Sequence, residues 1–182
     1  MEIMAGLKGR SILVTGGAGF IGGHLVSELV SQEADVVVVD IAINHNSSYV
    51  SSGSYKKTRF ELTDIRNKEE LFKVVEDCSP EYIFHLAAEP IVETSYYSPL
   101  STLETNIIGT ANVLEAARKL RTIKGIIVAS SDKAYGKTKK TYTEESPLRG
   151  DHPYDVSKSA ADLISQAYYS SYDLPVVITR FG

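Results

Sequence analysis

A glycine-rich turn near the N-terminus constrains the fold of this 182-residue chain more than any other feature. Gly16, Gly19 and Gly22 follow an apolar run at residues 11–14 and precede a helical pattern at residues 23–30. This order predicts a strand, a tight turn and a helix whose free N–H groups and dipole favour a phosphate at the turn. Gly16 permits the turn, Gly19 allows close approach of a pyrophosphate, and Gly22 lets the helix pack on the strand.

An acidic residue at the end of the next strand indicates which nucleotide this turn binds. The apolar run at residues 35–40 ends in Asp40, 18 residues after Gly22. A carboxylate near this distance can accept hydrogen bonds from the adenosine ribose hydroxyls. Residues 41–43 contain no arginine for a 2′-phosphate, so NAD is favoured over NADP. The alternative is a glycine turn in an α/β protein that binds no nucleotide.

Strands and helices alternate along the whole chain. The strands are predicted at residues 11–14, 35–40, 58–61, 81–88, 124–129 and 175–181. The helices are predicted at residues 23–30, 67–77, 99–120 and 153–172, and residues 44–55 are predicted to be a surface loop. This alternation predicts an α/β, Rossmann-type doubly wound parallel sheet with strand order 3-2-1-4-5-6 and helices on both faces.

The longest of these helical patterns, at residues 99–120, has an apolar stripe. Its members are Leu100, Leu103, Ile107, Ala111, Leu114 and Ala117. Residues 1–182 contain no linker that would mark a second domain, and their number fits one domain with a sizeable core.

Composition and charge restrict the possible partners. The formal net charge of −4 argues against nucleic acid or an anionic membrane surface as a partner. The single cysteine, Cys78, excludes an internal disulfide and fits a reducing cytoplasm. Residues 1–10 lack the apolar core of a signal peptide, and no apolar run is long enough for a membrane helix. We therefore expect a cytoplasmic protein without a metal site.

A second group of polar residues suggests acid–base chemistry. Tyr154 and Lys158 lie four residues apart on the last predicted helix and therefore share one face. A cation at this distance would favour the phenolate, which could act as a general base toward a sugar hydroxyl. Ser131, at the end of the fifth strand, is the natural third member. A Tyr and a Lys at this spacing are common on helices, so the pair alone indicates little.

With these residues in place, the sequence resembles the extended short-chain dehydrogenase/reductases, in the branch of nucleotide-sugar epimerases and 4,6-dehydratases. The shared motifs are residues 15–22, Asp64, residues 85–88, Asn106 with Gly109 and Thr110, residues 114–118, Ser130, Ser131, Tyr135, Gly136, Tyr154 and Lys158. The resemblance implies a catalytic triad of Ser131, Tyr154 and Lys158. It also implies a cofactor site for NAD formed by Gly16, Gly19, Phe20, Ile21, Gly22, Asp40, Asp64, Ile65, Leu86, Ala87, Ala88, Asn106, Tyr154 and Lys158.

The dipeptide Asp132-Lys133 distinguishes the members of this branch. Simple 4-epimerases have small, non-ionisable residues here, whereas 4,6-dehydratases have an acid followed by a second acid–base residue. Asp-Lys is similar to the branch that acts on CDP-glucose. By this resemblance, Asp132 would protonate the departing C6 hydroxyl and Lys133 would take the C5 proton if its pKa were depressed. The alternative is a solvated ion pair on a loop.

Three functions remain open from the sequence. The first is an NAD-dependent nucleotide-sugar 4,6-dehydratase, a lyase with CDP-glucose favoured, or its N-terminal cofactor-binding part. The second is a nucleotide-sugar 4-epimerase of the UDP-glucose type, and the third is a non-catalytic NAD-binding domain.

The resemblance also bears on assembly and completeness. Relatives typically continue into a C-terminal sugar-nucleotide lobe that is expected to be absent here, so cofactor binding is predicted and turnover is left open. The resemblance implies a homodimer through the helices at residues 99–120 and 153–172. His85, at the end of a buried strand, is interpreted as a structural histidine.

Overall fold

A computed structural model describes residues 6–139 and 141–182 as a six-stranded parallel sheet flanked by helices. Residues 1–5, part of the segment considered above for a signal peptide, lie outside the described residues. In the part of the chain that the structure describes, no helix is both long enough and apolar enough to cross a membrane.

The sheet has the order β3-β2-β1-β4-β5-β6, and every neighbouring pair is parallel. Its strands are β1 (Ser11–Thr15), β2 (Asp35–Asp40), β3 (Arg59–Leu62), β4 (Tyr82–His85), β5 (Gly125–Ser131) and β6 (Val176–Phe181). The α-helices are α1 (Phe20–Ser31), α2 (Ser48–Ser51), α3 (Lys68–Cys78), α4 (Val92–Tyr97), α5 (Pro99–Leu103), α6 (Thr110–Arg118) and α7 (Pro153–Tyr172). A π-helix spans Glu104–Gly109, and short 3₁₀ helices span Ser54–Lys56 and Asp132–Tyr135.

Both faces of the sheet are buried, which explains why its central strands are continuously apolar. In β1, Ile12 and Val14 pack against α1 and α2, whereas Leu13 faces the opposite core. That opposite core is covered by α3 and α6, with Ile164 and Tyr168 of α7 packed against it. The fold class and strand order predicted from the sequence are therefore confirmed.

The prediction of a surface loop at residues 44–55 is wrong. These residues include α2 and a 3₁₀ helix, and Tyr49 is fully buried. The Tyr49 hydroxyl lies 2.8 Å from the Thr58 hydroxyl, and its ring contacts Phe60. One buried aromatic ring thus fixes a segment whose serines, asparagines and glycine are typical of a loop.

The continuous helix predicted at residues 99–120 is divided into α5, the π-helix and α6. The predicted apolar stripe is only partly buried: Leu100 is 67% exposed and Leu114 and Ala117 are buried, whereas the polar Thr102 and Asn106 are buried in its N-terminal half. Gly109 lies where the helix meets Ile65, and a Cβ on Gly109 would lie 2.5 Å from Ile65 Cδ1. Close approach to a neighbouring loop, rather than the apolar pattern, therefore determines this part of the helix.

Candidate active site and cofactor cleft

The glycine turn between β1 and α1 leaves no room for side chains. Gly16 has φ of +73°, and a Cβ on it would lie 2.6 Å from the Ala87 nitrogen. A Cβ on Gly22 would overlap the Gly16 carbonyl oxygen. Gly19 is the N-cap of α1 and provides no side-chain cap, so the first N–H groups of α1 are available to an anion at the turn.

A cleft of about 390 Å³ opens beside this turn, at the carboxyl ends of the strands. It lies where the strand order reverses between β1 and β4, the usual ligand position in an open α/β sheet. Its walls include most of the predicted cofactor residues, namely Gly16, Gly19, Phe20, Ile21, Gly22, Asp40, Asp64, Ile65, Leu86, Ala87 and Ala88. The sequence interpretation missed other lining residues, namely Val39, Ile41, Thr63, Arg66, Pro90, Thr105 and Ala129.

Asp40 projects from the end of β2 to the glycine turn. Its carboxylate accepts hydrogen bonds from the backbone nitrogens of Ala18, at 3.0 Å, and Ile41, at 2.8 Å. Burial raises the pKa of Asp40, and these backbone hydrogen bonds oppose that rise. The carboxylate therefore holds the turn in shape at the wall of the cleft.

Arg66 is a charged lining residue that is paired with Asp64. Its guanidinium donates to both oxygens of Asp64, with Nε–Oδ1, Nε–Oδ2 and Nη2–Oδ2 distances of 3.1, 2.9 and 2.6 Å. This ion pair lowers the pKa of Asp64. The sequence signal that could have found Arg66 is an arginine two residues after an acid at the carboxyl end of β3.

The predicted triad comes together at the ends of β5 and α7. Ser131 lies close enough to Tyr154 to affect its pKa, and Lys158 Nζ donates to the Ala129 carbonyl at 3.0 Å. Because Ala129 also lines the cleft, Lys158 lies at the boundary between the cleft and Tyr154. The three residues are nearly fully buried.

The ionisation of this triad differs from the simplest expectation. Burial lowers the pKa of Lys158 to about 8. Burial also raises the pKa of Tyr154, while the neighbouring Ser131 hydroxyl opposes that rise. The expected lowering of the tyrosine pKa by Lys158 is therefore not present in the chain alone, because desolvation of the phenolate is the larger effect.

Asp132 and Lys133 form an ion pair beside Ser131. Lys133 Nζ lies 3.2 Å from Asp132 Oδ2, and Ser131 Oγ donates to Asp132 Oδ1 at 3.2 Å. The hydrogen bond to Asp132 raises the pKa of Lys133, whose side chain is half exposed. The depressed pKa on which a proton-accepting role for Lys133 depends is therefore contradicted.

Asn106 lies outside the cleft lining and is part of the buried core of the π-helix. Its side chain accepts from the Glu89 nitrogen at 2.8 Å and donates to Ser157 Oγ at 2.8 Å. It is 1% exposed. Asn106 therefore connects the loop after β4 to α7, and its side chain is engaged there and not in the cleft.

Comparisons with known proteins agree with this arrangement. The protein-family model described as GDP-mannose 4,6 dehydratase matches residues 13–182. CDP-glucose 4,6-dehydratase of Salmonella typhimurium is 30% identical over 188 residues, which cover 96% of this chain and 50% of the relative.

Two solved structures show the same fold. A dTDP-glucose 4,6-dehydratase from Streptomyces venezuelae, solved with NAD bound, has a TM-score of 0.83 and 34% identity over 93% of this chain and 54% of that chain. UDP-glucose 4-epimerase from Thermus thermophilus, in complex with NAD, has a TM-score of 0.84 and 32% identity over 94% of this chain and 54% of that chain.

This chain spans about half the length of the curated relatives that it matches. The matched half contains the glycine turn, the cleft, and the Ser131, Tyr154 and Lys158 group. With this fold and this match over most of its length, the chain belongs to the GDP-mannose 4,6 dehydratase family, among the epimerases and dehydratases that its motifs resemble.

Proposed function

We propose that this chain binds NAD in the cleft and forms the cofactor-binding part of a nucleotide-sugar 4,6-dehydratase. The observation that carries this proposal is the position of Ala129. This residue lines the cleft while its carbonyl accepts the hydrogen bond from Lys158, one helical turn from Tyr154. A cofactor in the cleft would therefore lie next to the candidate base.

The residues present fit NAD. The glycine turn excludes side chains where a pyrophosphate would approach, and the first N–H groups of α1 face that position. Asp40 suits the ribose hydroxyls. Arg66, the cation that could favour a 2′-phosphate, is already paired with both oxygens of Asp64, so NAD is favoured over NADP.

Each catalytic residue has a separate task in the proposed reaction. NAD, when bound, supplies the hydride acceptor and donor. Tyr154, held by Ser131, would take the proton from the sugar O4, and Lys158 would hold the nicotinamide ribose. In the elimination, Asp132, as the carboxylate paired with Lys133, would take the C5 proton and deliver it to the C6 hydroxyl, which leaves as water before the hydride returns to C6. Lys133 remains a cation that fixes Asp132, and we do not assign it the role of base.

CDP-glucose is the substrate that we favour, because the Asp132-Lys133 pair is similar to that branch. CDP-glucose and dTDP-glucose dehydratases are both among the relatives. The test is incubation with CDP-glucose, dTDP-glucose and UDP-glucose, read by NMR of the sugar and by absorbance of the 4-keto product in base. The nucleotide-glucose that is converted to a 4-keto-6-deoxy product identifies the nucleotide of the substrate.

Two other outcomes of this experiment would replace the proposal. A galactose-configured product would indicate a 4-epimerase, the activity named for one of the solved structures above. NAD binding without any product would indicate a non-catalytic cofactor domain.

Asp132→Asn separates the dehydratase from the epimerase, because it should abolish elimination and leave oxidation at C4 intact. Lys137→Gln, a change of an exposed lysine, is the control.

We also propose that residues 1–182 act as one cofactor-binding domain that pairs as a homodimer through α5, α6 and α7. Of these helices, α5 exposes Leu100, and α7 exposes Leu163 and Tyr169, each by more than half. Apolar side chains on neighbouring helices are a suitable surface for a second copy.

A further inference from the structure

Five buried polar residues connect the floor of the cleft to the helix that carries Tyr154. Each is at most 3% exposed, and His85 is the only ionisable member of the series. The members, in order of contact, are Thr15, His85, Thr110, Asn106 and Ser157.

The hydrogens of this series can be placed from its chemistry. Burial lowers the pKa of His85 to about 3, so the imidazole is neutral and carries one N–H. Thr110 uses its only hydroxyl proton to donate to the Asn106 backbone carbonyl at 2.7 Å. Thr110 must therefore accept from His85 Nε2, which lies 2.9 Å away. The proton of His85 is consequently on Nε2.

The other side of His85 follows from this assignment. Nδ1 is then an acceptor, and the Thr15 hydroxyl donates to it at 2.7 Å. Thr15 Oγ1 in turn accepts from the Ala87 nitrogen at 3.3 Å. Ala87 lines the cleft and its backbone touches Gly16, so this end of the series holds the cleft floor in place.

The opposite end reaches the candidate base. Asn106 Nδ2 donates to Ser157 Oγ at 2.8 Å, and Ser157 donates to the Tyr154 carbonyl at 2.7 Å. Asn106 contributes its backbone carbonyl to one side of the series and its side-chain amide to the other. Every hydroxyl in the series has one donor and one acceptor partner, so none of these bonds can reverse without leaving a buried group unpaired.

We propose that His85 is a positioning residue: as the Nε2–H tautomer it orients a one-directional series of hydrogen bonds that couples the cofactor cleft to the helix of Tyr154. The coupling to NAD rests on the proposed function. The tautomer and its effect on α7 do not, because both belong to the chain without cofactor.

The first experiment determines the tautomer directly. In the protein labelled with ¹⁵N at its four histidines, two-bond correlation NMR distinguishes Nε2–H from Nδ1–H and from the imidazolium. We expect His85 to show the Nε2–H pattern at neutral pH. An Nδ1–H pattern for His85 would overturn the proposal without reference to NAD.

The second experiment uses three variants that differ in the hydrogen bonds they retain. His85→Asn can keep an acceptor for Thr15, His85→Gln can keep a donor for Thr110, and His85→Leu keeps neither. We expect His85→Leu to lose NAD affinity by roughly 2- to 30-fold, the range of coupling along such networks, and the two amide variants to recover part of it. His45→Leu, at an exposed position, is the control.

Hydrogen exchange of the amides at residues 154–158 provides a readout that local packing at His85 would not change. We expect faster exchange there in His85→Leu than in the two amide variants. Equal exchange in all variants, or unchanged NAD affinity in His85→Leu, would overturn the proposal. A wild-type chain that does not bind NAD would contradict the proposed function instead, and the tautomer and exchange results would still decide the role of His85.

Discussion

Burial determines the ionisation of the reactive groups at the scale of single residues. Lys158 has a lowered pKa and Tyr154 a raised one, although both belong to one candidate triad. Lys133, two residues from Ser131, keeps its charge because Asp132 stabilises it. Asp132 and Lys133 thus form an ion pair in this structure, and in the proposed reaction the proton transfers would depend on Tyr154 and Asp132.

The pKa of Lys158 has a measurable consequence for stability. Between its folded value of about 8 and its usual value of 10.5, the unfolded chain binds more protons than the folded chain. The free energy of unfolding should therefore rise with pH over this interval, relative to a Lys158→Met variant. Urea unfolding of both proteins at several pH values measures this difference. If the difference in the free energy of unfolding between the two proteins stays constant or falls with pH, the lowered pKa of Lys158 is wrong.

Gly22 provides a second test at this scale. A Cβ at this position would overlap the Gly16 carbonyl oxygen, so Gly22→Ala must displace the turn from α1. We expect a loss of about 1 to 3 kcal/mol in the free energy of unfolding, the usual cost of overpacking, together with weaker NAD binding. Gly6→Ala is the matched control, since a Cβ there meets nothing within 4 Å. Equal effects of the two substitutions on unfolding would refute this explanation of the motif.

At the scale of elements, the sequence predicts those strands and helices that have a regular hydrophobic pattern. The strands are visible because residues such as Val36 to Val39 are buried on both faces, and the order of elements then leaves few topologies. The division of the helix at residues 99–120 is not visible, because periodicity reflects local spacing, whereas Gly109 at the end of the π-helix packs against Ile65, which is distant in sequence. Arg66 differs, because its pairing with Asp64 is local, and an arginine two residues after an acid is a signal that the sequence does contain.

The pair of Arg180 and Asp162 joins β6 to α7 and permits a further prediction. Asp162 is fully buried, and Arg180 donates to both of its oxygens and to the Tyr135 hydroxyl. Removing one partner of a buried pair leaves an unpaired charge, so Arg180→Met should cost about 3 to 5 kcal/mol. Arg118→Met, which breaks an exposed pair with Glu115, should cost far less.

Urea unfolding of the two arginine variants, with the wild type as reference, provides the comparison. Because Tyr135 belongs to the 3₁₀ helix of Asp132 and Lys133, we also expect Arg180→Met to disturb the candidate catalytic loop. Similar losses in the free energy of unfolding for both variants would show that the Asp162 pair stabilises the fold no more than a surface pair does.

At the scale of the whole molecule, the cofactor cleft and the candidate base lie within one half of the length of the relatives. Most residues that fit NAD come from the ends of β1 to β4, and the candidate triad comes from β5 and α7. Cofactor binding should therefore be separable from sugar recognition, and a titration with NAD alone tests the first without the second.

The proposed homodimer leads to a prediction about the surface formed by α5, α6 and α7. If two copies pair through α5, α6 and α7, a charge at Leu163, which is 54% exposed on α7, should be buried in the interface without a partner. We expect Leu163→Asp to change the mass in light scattering from a dimer to a monomer while NAD binding persists. Leu62→Asp, at a residue 69% exposed on the edge strand β3, should leave the mass unchanged. A monomeric wild type over the accessible concentration range would exclude this interface, and a dimer that Leu163→Asp does not disrupt would place it elsewhere.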